Sequence, residues 1–355
     1  MDQQSIIKMI ADNETIENID LSGIDFSGAD LGGGRFENVV FKGANFRQAK
    51  ITRTGFRNCI FSGVVFDDTD LTMVDLREMN LTGASFKRAL MHRTLFDRSD
   101  LSGCDFFEAR ISWSLMQETD LSGASFVRAD FEKAVLQNAS CEGADFTEAR
   151  ICKTIFLNAG LKGAVFRGAK LDKVLLAGCD LTGQNFSGMR FREVNFSNAI
   201  LQGVDFCDAD ISLCAFTGAD MAGATLDRVT ARQSMFNQAN LKMASLKTAI
   251  LEQSYLGEAN LEGAVLHGAV LEAASLEKAK AMGADFTGCN CRYLDLSYAD
   301  ISHAVFKDAA LYMARMHKTI DDGVDWKKTA PAKLRNSPDG IAEAEDWQVP
   351  ASVPD

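Results

Sequence analysis

The chain has 355 residues, of which 46% are hydrophobic and 24% are charged, a composition typical of a folded globular protein. Its formal net charge of −12 at pH 7 argues against a general nucleic-acid-binding protein, which is expected to be basic. The length allows either several ordinary domains or one continuous repeat architecture, so internal repeats must be tested first.

Residues 1–13 precede any regular pattern and are predicted to form a short amphipathic cap. They contain no basic segment followed by an apolar run, so we expect no signal peptide. No apolar stretch of about 18 residues occurs, so no membrane insertion is expected. The nine cysteines form no C-x-x-C pair and are expected to be reduced and buried, which predicts a cytoplasmic location.

From Ile16 onward the chain has a period of five that continues without a break to Met316. Of the 61 positions in this central column, 57 are Phe, Leu, Ile or Met, and 23 of the 24 phenylalanines fall in it. The column two residues earlier holds a small residue or valine at 54 of its 61 positions, and the column between them is rich in Asp and Asn.

A period of five fits neither the 3.6 residues of a helical turn nor the two-residue alternation of a long strand. It requires a chain that turns a corner every five residues. We expect one large and one small residue of each unit to point inward, since bulk at one position requires little at its neighbour. Asp and Asn suit the corners because their side chains bond the local backbone.

Units such as 144–148 (Ala-Asp-Phe-Thr-Glu) and 259–263 (Ala-Asn-Leu-Glu-Gly) resemble the A-(D/N)-(L/F)-x-x repeat of the pentapeptide-repeat family. The resemblance covers residues 14–318. It implies an all-β fold, a right-handed quadrilateral parallel β-helix of about fifteen coils with four units in each coil. A second period of twenty supports four sides and predicts that one corner needs a positive φ or close stacking. It is a glycine two residues after the central column, at positions 23, 43, 63, 83, 103, 123, 143, 163, 183, 203, 223, 263 and 283.

Catalytic constellations are not found in the sequence. The four histidines are scattered, and His92 and His267 lie close to nine coils apart, so no catalytic triad is expected. Cys289 and Cys291 form a C-x-C pair, but both occupy inward columns, which favours core packing over a metal site. We therefore predict no enzyme activity, no cofactor and no metal.

One face carries two basic columns at twenty-residue spacing. The first column runs Arg110, Asp130, Arg150, Lys170 and Arg190. The second runs Arg93, Trp113, Lys133, Lys153 and Lys173. Stacked like charges are unfavourable, and a partner with carboxylates or phosphates would relieve them. The alternative is a solvated face on which Asp172, Glu132 and Asp210 act as counterions.

The adjacent face lacks its expected Asp or Asn column over the same coils. The column instead holds large apolar residues: Leu95, Leu115, Val135, Ile155 and Leu175. A contiguous exposed apolar strip indicates an interaction site, and a strip beside a basic rim suits protein docking. The alternative is that these side chains fold over the corner and pack against one another.

Residues 319–355 are predicted to be a separate, partly disordered tail, because the pattern ends and all four prolines follow. Trp326 and Trp347 are its expected docking points.

The leading functional hypothesis is a non-catalytic scaffold or adaptor that binds another protein, with no direct contact to nucleic acid. The resemblance adds a bacterial secretion or effector setting. An alternative, also implied by it, is a DNA mimic that inhibits or protects a type II topoisomerase; the basic face and the absence of inserted loops depart from that pattern. An exposed coil end offers a route to a homodimer or to end-to-end stacking.

Overall fold

A computed structural model describes residues 2–327 and 329. It contains one helix and nine short strands in its described part, and every strand pairing is parallel, in sheets of order β1-β2-β3 and β4-β5-β6-β7-β8-β9. The elements are α1 (Gln3–Ala11), β1 (Thr15–Glu17), β2 (Arg35–Glu37), β3 (Gly55–Arg57), β4 (Leu90–His92), β5 (Arg110–Ser112), β6 (Asp130–Glu132), β7 (Arg150–Cys152), β8 (Lys170–Asp172) and β9 (Phe191–Arg192).

The register of these pairings confirms the predicted coil. Strands and isolated bridges join residues twenty apart, from Thr15 with Arg35 to Val305 with Asp325. The strands are only two or three residues long because each five-residue repeat ends in a turn. The fold is therefore the predicted four-sided parallel β-helix. It divides into two compact units, unit 1 (Met1–Phe186 and Arg190–Ile200) and unit 2 (Ser187–Met189 and Leu201–Asp355).

The core of each unit is built from the two inward columns, as predicted. Central residues and small residues are almost all buried. In unit 1, Phe106 stacks on the ring one coil below, Phe86, with centroids 4.9 Å apart, and on the ring one coil above, Phe126, at 4.6 Å. Near-parallel rings at this distance add to the burial of each side chain, which is worth about 1.5–3 kcal/mol.

The Asp column supports the turns in the way that the sequence predicts. In unit 1, the Oδ1 atom of Asp180 accepts hydrogen bonds from the backbone N–H and the hydroxyl of Thr182, at 3.0 and 2.6 Å. The side-chain bond from Thr182, followed by the backbone bond, lowers the pKa of Asp180. The charged carboxylate is therefore part of the folded turn.

Of the two causes that the sequence suggested for the glycine column, the positive φ is confirmed, but it is not confined to one corner. Residues two after the centre have positive φ at all four corners, 62–76° for glycine and 48–61° for the other residues. A Cβ placed on Gly123 would meet no atom within 4 Å. Close stacking is therefore excluded there, and glycine is present because it adopts this conformation without strain.

The repeat extends beyond the end predicted at residue 318. Bridges still join Asp300 with Ile320 and Val305 with Asp325. The exposed Asp321 interrupts the apolar column, but Trp326 returns to it and stacks on Phe306, with centroids 5.0 Å apart. One polar residue in the central column therefore does not end the ladder, because the backbone bonds continue without it.

The N-terminal residues form a capped amphipathic helix. The side chain of Asp2 accepts a hydrogen bond from the Ser5 N–H at 2.9 Å, which satisfies one free donor of the first turn. Ile6 is completely buried, and the Cδ1 atom of Ile10 lies within 3.1 Å of the place that a Cβ on Gly34 would take. The helix thus lies against the first coils of unit 1.

Candidate interaction surface on unit 1

The six-stranded sheet β4–β9 places the first basic column on one wall of unit 1. In β4 to β8 the central residue is buried and the flanking residues are exposed or half-buried, except for the buried Cys152 of β7. Arg110 pairs in register with Asp130, Asp130 with Arg150, and Arg150 with Lys170. All four basic residues of the column, including Arg190, are exposed, and Asp130 is half-buried.

Only part of this charge is neutralised locally. The Arg150 Nη1 atom lies 2.8 Å from Asp130 Oδ1, and this hydrogen bond raises the pKa of the Arg150 guanidinium. Asp172 is 3.9 Å from Arg192 and makes no ion pair with a residue of either basic column. Within the described residues, Arg110, Lys170 and Arg190 have no ion pair, and neither has the proposed counterion Glu132. The third, Asp210, lies in unit 2.

The second basic column occupies the corner that follows this sheet. Its five residues have φ between 51° and 56°, and backbone bonds such as Trp113 N to Glu132 O hold successive coils together. The Lys133 Nζ atom lies 4.1 Å from the centre of the Trp113 ring, a cation–π contact. Lys173 pairs with Glu193 at 3.3 Å. Arg93 and Lys153 are exposed and, in the part of the chain that the structure describes, have no ion pair.

The apolar stripe, defined as the five residues from Leu95 to Leu175 at twenty-residue spacing, forms a single file. Parallel bridges join Leu95 with Leu115, Leu115 with Val135, Val135 with Ile155 and Ile155 with Leu175. Each side chain is half-buried, so the stripe faces solvent with part of its area and is covered over the rest. Four coil spacings give it a length of about 19 Å.

The stripe and the corner column form one continuous surface, because each corner residue lies two positions before a stripe residue. Trp113 precedes Leu115 and is 48% exposed, and the exposed Lys153 precedes Ile155. We call the two basic columns and the stripe together the basic–apolar surface. Every residue that defines it belongs to unit 1.

Two exposed apolar residues extend this surface and were missed in the sequence. Met73, 65% exposed, donates its backbone N–H to His92 O and continues the corner column below Arg93. Leu90, 39% exposed, occupies the position of Arg110 one coil earlier. Met73 lies twenty residues before Arg93, and Leu90 lies twenty residues before Arg110. Extending each column by one coil in the sequence would therefore have identified both residues.

The predicted docking points of the tail have different outcomes. Trp326 is half-buried and stacks on Phe306 in the central column, and its role as a docking point stays a prediction. Trp347 lies outside the described residues.

The part of the chain that the structure describes holds no cluster of His, Cys, Asp and Glu suited to a metal ion, and no helix with the length and hydropathy to cross a membrane. Cys289 and Cys291 are buried; Cys289 Sγ donates to Leu266 O at 3.0 Å. Contact with Cys289 and burial raise the pKa of the Cys291 thiol.

The fold and this surface define a β-helical repeat protein with an outward-facing polar and apolar pattern. Sequence profiles agree with this class. A profile of the pentapeptide repeat region matches residues 29–106. A profile of eight pentapeptide repeats matches residues 114–151, 144–183, 175–212, 214–253, 249–288 and 284–320, which together exceed half of the chain. The chain therefore belongs to the pentapeptide-repeat family.

Solved structures of the same repeat type resemble the chain at low identity. HetL, involved in heterocyst differentiation regulation in the cyanobacterium Nostoc, is 21% identical, with 89% of this chain and 97% of HetL covered and a TM-score of 0.23. A thylakoid lumen protein of Arabidopsis thaliana is 28% identical over 32% and 68%, with a TM-score of 0.22. QnrB1, a plasmid-mediated fluoroquinolone resistance protein, is 23% identical over 59% and 94%, with a TM-score of 0.23. No curated protein matches the chain.

Proposed function

We propose that the protein is a non-catalytic scaffold whose basic–apolar surface binds an acidic partner protein. One observation carries the proposal: the wall and corner beside a single file of five half-buried apolar side chains hold five exposed cations without an ion pair in the described structure, and two of them lie at the corner directly before the stripe. These cations are Arg93, Arg110, Lys153, Lys170 and Arg190. The proposed setting is the cytoplasm, in keeping with nine free cysteines; a bacterial secretion or effector system is the context suggested by the family resemblance.

The physical argument rests on the two components of the surface. Stacked cations one strand spacing apart repel each other, and carboxylates from a partner would relieve that repulsion. The apolar stripe supplies contact area that loses water on binding, at about 25 cal/mol per Å². Trp113 is the natural anchor between them, since exposed aromatic residues dominate the energy of protein interfaces.

A charge-reversal experiment tests this assignment. We expect Lys153→Glu with Lys170→Glu to remove the partner from affinity capture of tagged full-length protein. The matched control is Lys42→Glu with Lys162→Glu, which changes the net charge equally at two exposed lysines of unit 1 outside the surface.

A second pair of substitutions, Leu115→Asp with Ile155→Asp, tests the stripe. Since the stripe is half-buried, circular dichroism must first show that this variant is folded. Identical captured proteins for the wild type and both surface variants would refute the proposal.

The DNA-mimic alternative has the opposite electrostatic requirement, since a mimic must present acidic charge where this surface presents basic charge. We expect no inhibition of supercoiling by DNA gyrase at micromolar protein. Inhibition that survives Lys153→Glu with Lys170→Glu would instead favour the mimic.

A further inference from the structure

The last twenty residues of the sequence are acidic, whereas the basic–apolar surface carries cations without an ion pair. Residues 336–355 contain Asp339, Glu343, Glu345, Asp346 and Asp355 and no Lys or Arg, a net charge of −5 out of the −12 of the whole chain. The preceding residues 320–335 have four basic and three acidic residues. Within residues 320–355, the net negative charge therefore comes from the final twenty positions.

The same segment is also apolar in its middle. Ile341, Trp347 and Val349 are placed around the three carboxylates of Glu343, Glu345 and Asp346. A ligand for the surface needs carboxylates for unpaired cations and apolar side chains for the stripe, and residues 341–349 supply both. Nine extended residues span about 30 Å, which is enough to follow a stripe of about 19 Å.

We propose that residues 336–355 of a second copy of this chain are a ligand of the basic–apolar surface. The proposal rests on the proposed function, because the same surface binds both ligands. It adds that an external partner must displace the acidic segment of the second copy, so the segment sets a threshold for partner binding.

Direct binding is measured with a fluorescently labelled synthetic peptide of residues 336–355. The receptor is the full-length chain carrying Glu343→Gln, Glu345→Gln and Asp346→Asn, so that its own segment competes less. We expect saturable binding, weakened about tenfold or more by Lys153→Glu with Lys170→Glu and weakened steeply by salt, since several exposed ion pairs of about 0.2–1 kcal/mol each are reversed or screened. Lys42→Glu with Lys162→Glu should bind as the parent does.

A zero-length carbodiimide cross-link tests the contact in the unmodified full-length protein. We expect amide bonds between Lys153 or Lys170 and the carboxylates of residues 343–346, well above those to the exposed lysines Lys42 and Lys162. Mixing unlabelled and ¹⁵N-labelled protein identifies the bonds that join two copies, and bonds of this kind support the proposal. The absence of bonds between copies, equal cross-linking of all four lysines, or peptide binding that is unchanged by Lys153→Glu with Lys170→Glu overturns it.

The failure of this inference differs from failure of the proposed function. If the peptide does not bind but the surface variants still lose their captured partner, the segment is not the ligand and the scaffold assignment stands. If the surface variants change neither peptide binding nor partner capture, both proposals are wrong.

Discussion

The assignment of inward and outward columns is tested most directly by two adjacent phenylalanines of unit 1. Phe106 is fully buried and stacks between Phe86 and Phe126 at 4.9 and 4.6 Å. Phe107, the next residue, points outward, is half-buried and lies 5.6 Å from the guanidinium of Arg128. The same change, Phe to Ala, is therefore made once in the core and once on the wall.

The expected magnitudes differ severalfold. Phe106→Ala removes a buried ring and two stacked neighbours, and such truncations cost about 3–5 kcal/mol. Phe107→Ala loses partial burial and one exposed cation–π contact, which together are worth about 1 kcal/mol. The backbone N–H of Phe107 still bonds Asp105 Oδ1 at 3.0 Å in either variant, so the turn is retained.

Native-state hydrogen exchange is the appropriate assay, because a repeat protein with two compact units need not unfold in one step. Protection of the amides in peptides spanning residues 86–126 should fall by about two to four orders of magnitude in Phe106→Ala, at about 1.4 kcal/mol per factor of ten. It should fall by about one order or less in Phe107→Ala. Equal losses, or a larger loss in Phe107→Ala, would refute the inward and outward columns on which the surface is built.

Two further predictions concern titration and thiol reactivity. Hydrogen bonds lower the folded-state pKa of Asp180 below its usual 3.8, so its stabilising contribution is present above the unfolded pKa and is lost as pH falls through the folded value. Denaturant unfolding monitored from pH 7 to pH 2 should therefore show a loss below about pH 4 that is smaller in Asp180→Asn; an identical acid limb would contradict this. Burial raises the pKa of Cys104 and Cys179 to about 12, whereas Cys207 alone of the nine thiols is partly exposed. Iodoacetamide at pH 8 should label Cys207 first in the folded protein and all nine after unfolding, as read by mass spectrometry, and early labelling of Cys104 would be evidence against the packed core.

The fold was predictable because the five-residue period continues without a break from Ile16 to Met316, and this period determines which residues stack. Inward residues repeat every five positions and the glycines every twenty, so the coil follows without knowledge of any contact. The end of the ladder was not predictable in the same way. Asp321 breaks the apolar column, but backbone bonds carry the coil to Asp325, and such bonds leave no mark on the side-chain pattern.

The surface was predictable in position but not in electrostatics. Residues twenty apart stack, so the columns and the stripe follow from counting, and the bridges from Leu95 to Leu175 confirm the stripe's single file. Which charges pair depends on side-chain reach and rotamer. Asp172 approaches Arg192, while Lys133 turns toward Trp113 instead of a carboxylate. The half-burial of the stripe likewise depends on how neighbouring side chains lean.

The turns along the stripe lack a hydrogen bond that turns with Asp at the same position have. Elsewhere the Asp at this position accepts the N–H two residues later, as Asp180 does from Thr182 at 3.0 Å. In the stripe that acceptor is missing, and in the described structure no side chain replaces it for the N–H of Gln137, Leu157 or Ala177. Each lost bond is worth up to about 0.5–1.5 kcal/mol, less where water takes its place. Consecutive coils of the stripe therefore have less stable turns than coils with Asp at this position, but they present more apolar area to a partner. This combination is more useful on a wall that binds a partner than on a wall that only contacts water.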